Sequence, residues 1–465
     1  MIRLQAQNVT FDYGDEKKPV FKDLTFAVEP GTFGLLVGPS GCGKSTLFKL
    51  LAGLYPQYAG NLRRGSVLLD DQNIAEVRPF KRAVRVAMLF QNPSRQFAMK
   101  TVASQLRFAL ENLQLAPEQI KQRLEETLSA MHLQDFRDRV LMTLSGGEQQ
   151  RVALATVLAM HSDLILLDEP FANVDPKGRS QLLADLKQIQ LEQHKTILIS
   201  DHDLSGYEGI ADRLYQLKKA PSTVAALPLS ELSGKTEVQK VERHPLNQGT
   251  FNWKALKLQV GDRLLLENSQ FTLPEGQIGL LSGENGVGKS TFLMALSRQH
   301  DYQGAVFYQD KEAQKYALKK WALIVGLVFQ NSSDQFIRLT ARDELKLSLD
   351  GTCHPEYWKR SRIDAILARL NLTAVLDQVC YQLSGGQQKK LQLLSMLIMS
   401  QPVLLLDEPF AGLDAESLSQ TLQLLRQTVK ELNLAVLTVS HQRLGVVDSV
   451  DYELQLAEKR LTLLS

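Results

Sequence analysis

Cysteine is scarce in this 465-residue chain, and its three copies, Cys42, Cys353 and Cys380, form no CxxC pair. Neither a zinc site nor a disulfide framework is indicated, and so little cysteine fits a reducing cytoplasm. Long apolar runs are also missing. A membrane-spanning helix needs ~18 or more consecutive apolar residues, and runs such as 164–167 and 403–406 are far shorter. The chain is therefore expected not to span a bilayer, so any pore it serves belongs to other polypeptides. No apolar leader opens it: MIRLQAQNVTF alternates apolar and polar residues like a strand. Excess charge of one sign is absent too. Fifty-three Lys and Arg face 51 Asp and Glu, a net +2 that argues against a dedicated nucleic-acid binder. What remains is an ordinary globular balance, 44% hydrophobic and 22% charged. The length exceeds the ~100–200 residues usual for one domain, so two domains are the natural expectation.

The chain repeats itself. GPSGCGKST at 38–46 returns as GENGVGKST at 283–291, an offset of 245 (283 − 38). Four later blocks return at a constant 239 (329 − 90): FQN at 90–92, LSGG at 144–147, LLDEPFA at 166–172, and the His202 block, which matches that of His441. Tandem duplication of a domain explains this. The division expected is a first domain over 1–217, a linker over 218–250 interrupted by Pro221, Pro228 and Pro245, and a second domain over 251–465.

Within each copy the pattern runs strand, loop, helix. Phe33–Val37 enters the glycine-rich loop and 46–54 reads as the helix leaving it. The 164–167 run and Thr196–Ser200 are apolar throughout, as strands buried on both faces are. Between Gln91 and Leu144 the pattern turns helical, with 111–132 rich in Leu, Glu, Gln and Lys. That predicts a helical subdomain inserted into a parallel α/β core.

Three motifs carry chemistry. Gly38-x-x-x-x-Gly43-Lys44-Ser45-Thr46 and Gly283-x-x-x-x-Gly288-Lys289-Ser290-Thr291 are complete P-loops, with Gly41 and Gly286 inside them. Glycines let backbone N–H groups close around phosphate oxygens, the lysine reaches the β- and γ-phosphates, and the serine ligates Mg²⁺. The following helix N-terminus favours anions. Asp168-Glu169 and Asp407-Glu408 each end an apolar run. Buried paired carboxylates demand a cation, and ATP-bound Mg²⁺ supplies one: the aspartate holds the ion and the glutamate orients and deprotonates the attacking water. LSGGE at 144–148 and LSGGQ at 383–387 start helices with a serine and two glycines, Ser145-Gly146-Gly147 and Ser384-Gly385-Gly386, which suits either an anion cradle or an ordinary N-cap.

With LSGGEQQR beside P-loops, the sequence resembles the ABC ATPase family over nearly its whole length; LSGGQQKK at 383–390 departs mildly. The resemblance implies an α/β fold of two tandem P-loop ABC ATPase domains, each a RecA-like α/β core with an antiparallel β part and an inserted α-helical subdomain. It implies that the halves pair head to tail within the chain, with two ATP molecules as ligands. Lys44, Ser45, Asp168 and Glu169 would face Ser384–Gly386, and Lys289, Ser290, Asp407 and Glu408 would face Ser145–Gly147. Gln91 and Gln330 match the Q-loop glutamine, which touches Mg²⁺ and the attacking water. His202 and His441 match the switch histidine, and Asp175 and Asp414 the D-loop aspartate. Tyr13 fits the aromatic that stacks on adenine, where the second copy has Val260. Both copies keep every hydrolytic residue, which predicts two working sites.

FQNPSRQF at 90–97, FQNSSDQF at 329–336 and GLYPQYAG at 53–60 resemble energy-coupling-factor (ECF) importers. That resemblance implies a peripheral ATPase on the cytoplasmic face of the cell membrane. It would drive a transmembrane coupling protein and a small substrate-binding membrane protein that takes up a vitamin, a vitamin precursor or a metal ion, with no nucleic acid involved. Two alternatives are the ATPase of a sugar or nucleoside importer and a soluble, ribosome-acting tandem ATPase. The first group lacks this Q-loop pattern, and the second has a long charged helical linker.

Overall fold

The computed structural model describes residues 3–464, apart from 15–18, 40, 92–95, 145, 172–173, 175, 219–221, 233–240, 243, 441 and 444. The chain divides into two compact units, Met1–Glu237 and Val238–Ser465.

In unit 1, strands β1 (Leu4–Asp12), β2 (Phe21–Val28), β4 (Asn61–Leu69) and β5 (Gln72–Asn73) form an antiparallel sheet in the order β2-β1-β4-β5. The second sheet is built on β3 (Phe33–Val37), β6 (Val86–Leu89), β7 (Leu164–Asp168), β8 (Thr196–Ser200) and β9 (Arg213–Lys218), all parallel. Strand β10 (Thr223–Leu227) closes it in antiparallel pairing, giving the order β10-β9-β3-β8-β7-β6. Strand β10 falls within the stretch read as linker, so that stretch contributes to unit 1's sheet. Helix α1 (Lys44–Leu51) follows β3 and α2 (Pro79–Arg85) precedes β6. Helices α3 (Val102–Asn112), α4 (Pro117–Ala130) and α5 (Gly146–Ala159) lie between β6 and β7, and α6 (Pro176–Glu192) joins β7 to β8. The helical stretch expected over 111–132 is broken, because Pro117 occupies the first turn of α4 and cannot continue α3.

Alternation along β7 places the core. Ile165 and Leu167 pack with the α3–α6 side, whereas Leu164 and Leu166 pack with α1 and the antiparallel sheet. A strand apolar on both faces is the consequence of layers on both faces, and β7 and β8 are buried at every residue.

Unit 2 repeats this plan. Its antiparallel sheet contains β11 (Phe251–Val260), β12 (Arg263–Leu273), β14 (Gln303–Tyr308) and β15 (Lys311–Glu312). Its core sheet contains β13 (Ile278–Ser282), β16 (Val325–Val328), β17 (Val403–Asp407), β18 (Ala435–Val439), β19 (Tyr452–Ala457) and β20 (Arg460–Leu463), in the order β16-β17-β18-β13-β19-β20. Helices α7 (Lys289–Leu296), α8 (Leu318–Ala322), α9 (Ala341–Asp350), α10 (Arg360–Arg369), α11 (Gly385–Met399) and α12 (Ala415–Leu432) take the matching places. Leu404 and Leu406 face α9–α12, and Val403 and Leu405 face α7 and β11. The expected α/β class, with its antiparallel part and inserted helices, is present in both units.

The units are not packed identically. A Cβ at Gly34 in β3 would come 3.0 Å from Leu198 Cδ1, the flexible end of a side chain. A Cβ at the matching Gly279 in β13 would come 2.3 Å from Cζ of Tyr452, whose ring is fully buried. Gly279→Ala is therefore expected to destabilise unit 2 by about 1–3 kcal/mol through overpacking, with Gly34→Ala much milder. All three tryptophans, Trp253, Trp321 and Trp358, lie in unit 2. Tryptophan fluorescence during urea unfolding reads unit 2 alone and checks the first expectation; circular dichroism of the whole chain checks the second.

Candidate functional site

Each P-loop runs from the end of a core strand to a helix start. Gly43 and Gly288, which precede α1 and α7, have φ of 106° and 111°, a region that penalises a side chain. A Cβ would also strike the Phe21 ring at 2.7 Å in unit 1 and Leu265 at 3.0 Å in unit 2. Lys44 Nζ donates to the carbonyls of Gly38 (2.8 Å) and Pro39 (3.4 Å). Lys289 Nζ donates likewise to Gly283 (2.7 Å) and Glu284 (3.0 Å). Each loop thus folds around its own buried lysine, which holds a cation at the helix N-terminus.

The carboxylate pair stands at the end of β7. Burial pushes the Asp168 carboxyl up, and the charge of Glu169 adds to that. Hydrogen bonds from Ser200 Oγ (2.6 Å) and from Ser45, and the charge of Lys44, offset part of it. Glu169 has φ +51°, uncommon outside glycine, and its N–H donates to Ser200 O at 3.0 Å. That turn aims its carboxylate at two predicted partners. Gln91 Nε2 donates to Oε2 at 2.6 Å, and His202 Nε2 lies 2.8 Å from Oε1. Burial alone would raise the Glu169 carboxyl; His202, Lys44 and Gln91 outweigh it and hold the group below the usual carboxylate range. Lys44, Ser45, Asp168, Glu169, Gln91 and His202 are therefore one cluster.

Unit 2 repeats the frame. Glu408 has φ +50° and donates its N–H to Val439 O at 3.1 Å, the same register as in unit 1. Burial raises the Asp407 carboxyl, and Ser290, Lys389 and Lys289 oppose the rise. Ser384 caps α11: its side chain accepts from Gln387 N–H at 3.4 Å, while Gln387 Oε1 accepts from Ser384 N–H at 2.9 Å. Gly385 and Gly386 form the first turn of that helix, as Gly146 and Gly147 do for α5. Asp414 caps α12 by accepting from Ser417 N–H at 2.7 Å. Ser145, Asp175 and His441 lie outside the described residues.

Tyr13 donates to or accepts from Thr46 Oγ1 at 2.7 Å and packs edge-on against Phe11 and Tyr55, with its hydroxyl pushed up to about 12 by burial. Its ring keeps an exposed part beside the P-loop helix. The matching Val260 is about half exposed and offers no ring.

Sequence reasoning missed the groups that hold the switch loops. In unit 1, Asp201 Oδ1 accepts from the N–H of His202 (2.7 Å) and Asp203 (3.1 Å). Its Oδ2 accepts from Tyr207 Oη at 2.8 Å and lies 3.1 Å from Arg179 Nη2. Arg179, Asp201 and Tyr207 are all buried. Offset by 239, unit 2 has Leu418, Ser440 and Val446 at these positions. There Arg443 binds the buried Glu453 through Nη1–Oε1 (2.8 Å) and Nη2–Oε2 (2.9 Å) instead. The available signal was a charged residue beside each histidine, Asp201 in SDH and Arg443 in HQR.

Each unit therefore presents a P-loop folded around a buried lysine and a buried carboxylate pair, and in unit 1 Gln91 and His202 are aimed at the second carboxylate, the makings of a nucleotide-hydrolysing site. The ABC transporter family model matches residues 21–172 and 266–411, and the chain belongs to this family, carrying its ATPase domain twice. It is similar to the putative HMP/thiamine import ATP-binding protein YkoD of Bacillus subtilis (strain 168), at 30% identity over 94% of this chain and 87% of the relative. It is also similar to a putative ABC transporter ATP-binding protein of Methanosarcina mazei, at 28% identity over 94% and 84%. Among solved structures, an archaeal ABCE1 in a model of ribosome-bound Pelota and ABCE1 shares the fold, with a TM-score of 0.71 and 21% identity over 98% of this chain and 78% of that one. The protein is an ABC-type ATPase that binds ATP.

Asp201→Ala would remove the nearer of the two carboxylates that face the buried Arg179 guanidinium, Asp203 Oδ2 remaining 3.4 Å from Nη1, an expected loss of up to about 3 kcal/mol. Hydrogen exchange should show residues 200–207 and α6 losing protection, with unit 2 unchanged.

Proposed function

We propose that this chain is the ATP-hydrolysing subunit of an ECF-type importer, bound peripherally at the cytoplasmic face of the membrane, with ATP hydrolysed at two sites. No helix among the described residues is long and apolar enough to cross a membrane, so the transported substance passes through partners. In this reading a transmembrane coupling protein carries a small substrate-binding membrane protein. The likeness to the HMP/thiamine import protein favours a vitamin precursor or a related nutrient.

The observation that carries the membrane reading lies just after unit 2's Q-loop. Ile337 is 76% exposed, Leu339 63% and Tyr381 46%. The chain brings them together: Cys380 N–H donates to Leu339 O at 2.8 Å, and the Tyr381 and Phe336 rings meet edge-on. In unit 1, Met99 and Met142 are exposed beside the matching bridge between Thr101 and Val140. Exposed apolar side chains grouped beside the loop that senses nucleotide suit the helices of a membrane partner.

For hydrolysis, each unit's P-loop takes one ATP, with that unit's carboxylate pair, Q-loop glutamine and switch histidine acting on it. Mg²⁺ fits the residues present, because the Ser45 hydroxyl and the buried Asp168 carboxylate are hard oxygen donors already bonded to each other. Ser290 and Asp407 make the same pair, with Gln91 and Gln330 as the remaining protein ligands. The ion neutralises phosphate charge when bound. Lys44 and Lys289 turn from their loop carbonyls to phosphate oxygens. Glu169 and Glu408 orient the attacking water and accept its proton, and His202 and His441 touch the γ-phosphate. Fusion makes pairing of the units intramolecular, at an effective concentration on the order of mM.

Affinity purification of the tagged chain from detergent-solubilised native membranes tests this reading. A polytopic membrane protein and a small membrane protein should accompany it; ribosomal proteins, or no membrane protein, would overturn the importer reading. Ile337→Asp with Leu339→Asp should abolish that co-purification and leave basal ATPase activity intact. Glu169→Gln and Glu408→Gln, made separately, should each lower steady-state hydrolysis; full activity in either would refute two working sites.

A further inference from the structure

Unit 2 ties its signature helix to its Q-loop with side chains that unit 1 lacks. Lys389, on α11, donates to Gln330 O at 2.6 Å and to Gln392 Oε1 at 3.4 Å. Gln392 Nε2 donates to Phe329 O at 2.8 Å and to Gln335 Oε1 at 3.3 Å. Gln392 Oε1 also accepts from Ser332 Oγ at 3.0 Å, and Phe329 N–H donates to Gln335 Oε1 at 3.0 Å. Lys389 and Gln392 are both buried, Gln392 completely. Every polar atom of this pair is thus directed at the main chain or side chains of 329–335, the segment that carries Gln330.

A buried ammonium needs negative partners. Here the carboxylates of Asp407 and Glu408 supply the charge, and the Gln330 carbonyl and Gln392 amide oxygen supply the acceptors. Lys389 therefore links three things at once: the signature helix, the Q-loop backbone and the carboxylate pair at the end of β17.

Unit 1 is built differently at the same register. At 150 and 153, which are 389 and 392 less the 239-residue offset, the chain has Gln150 and Ala153. Alanine has no polar group to offer. Gln150 is buried, and neither its side-chain nitrogen nor its oxygen has a hydrogen-bond partner among the described residues. Gln91 instead reaches Glu169 with its own side chain.

We infer that Lys389 and Gln392 are positioning residues that clamp the Q-loop main chain to the signature helix and so set Gln330 against Glu408 in unit 2's hydrolytic site, a constraint that Gln150 and Ala153, at the same register of α5, do not supply among the described residues of unit 1. This rests on the reading of Gln330 and Glu408 as hydrolytic residues. It makes the two sites unequal in how hydrolysis follows the signature helix, although both have complete motifs.

The test writes unit 1's residues into unit 2 of the full chain, as Lys389→Gln with Gln392→Ala, with Gln392→Ala alone as a variant that keeps the charge. Steady-state ATP hydrolysis is measured beside Glu408→Gln. Both clamp variants should lower kcat toward the value of Glu408→Gln, with KM for ATP unchanged because Lys289 and its loop are intact. Tryptophan fluorescence should report unit 2 still folded for Gln392→Ala, which then decides the matter if the double variant is unstable. An unchanged kcat in the clamp variants, with Glu408→Gln impaired, overturns the clamp and leaves the hydrolytic reading standing. A raised KM at unchanged kcat also overturns it. Full activity in Glu408→Gln removes the reading on which the clamp depends, and the clamp with it.

Discussion

Two carboxylates buried side by side at the end of an apolar strand are the constraint around which each unit is arranged. Neighbouring acidic groups out of water repel each other and lose hydration, so each must be answered by hydrogen bonds or positive charge. In unit 1 the answers come from separate parts of the chain: Ser45 and Lys44 from the P-loop, Ser200 from β8, Gln91 from the end of β6 and His202 from the loop after β8. The parallel sheet makes that convergence possible, because β3, β6, β7 and β8 deliver their C-terminal ends to one edge. The left-handed turn at Glu169, repeated at Glu408, swings the second carboxylate away from the first. Such a conformation at a non-glycine residue costs on the order of 1–3 kcal/mol and persists where the surroundings over-determine it. Here the N–H bond to Ser200 or Val439 does so.

The two units meet the same constraint with different surroundings. Unit 1 fixes the start of its switch loop with Asp201, whose charge Arg179 balances and whose Oδ2 accepts from Tyr207 Oη. Unit 2 replaces that triad with Leu418, Ser440 and Val446 and instead anchors the far side of its loop through Arg443 and Glu453. An apolar replacement of a buried ion pair is often neutral or stabilising when volume is kept, so both solutions are compatible with one fold. What differs is which side chains hold the loop: Arg179 and Asp201 in unit 1, Arg443 and Glu453 in unit 2.

Much of this was legible in the sequence because it is local. The P-loops, the apolar runs ending in Asp-Glu and the LSGG helix starts are contiguous blocks, and their offsets, 245 at the P-loops and 239 at the later blocks, match one unit to the other. The unread part is what depends on distant residues meeting. Arg179 and Tyr207 carry no motif, and their meaning appears only when α6 packs against the loop after β8. Lys389 read as a mild departure in LSGGQQKK; burial pushes its ammonium down to about 8 against the opposing charge of Glu408 and Asp407, which makes it part of the site. The stretch over 218–250 showed three prolines and no clear period, so β10, which is held by pairing with β9 rather than by its own pattern, could not be seen.

Sequence repetition alone suggests two interchangeable sites, and the side chains argue otherwise. Among the replacements between units are Val260 for Tyr13 beside the P-loop helix, those at the support of the switch loop, and Lys389 and Gln392 for Gln150 and Ala153 at the contact between signature helix and Q-loop. The P-loop lysines, the carboxylate pairs and the signature serines and glycines are the same in both. Chemistry is thus duplicated while its mounting has diverged. Separate subunits carrying such halves could assemble as like pairs, in which the difference would be lost. A covalent fusion delivers one of each in every molecule, which is the condition under which unequal mounting can give a fixed order or division of labour between the two hydrolysis events proposed above.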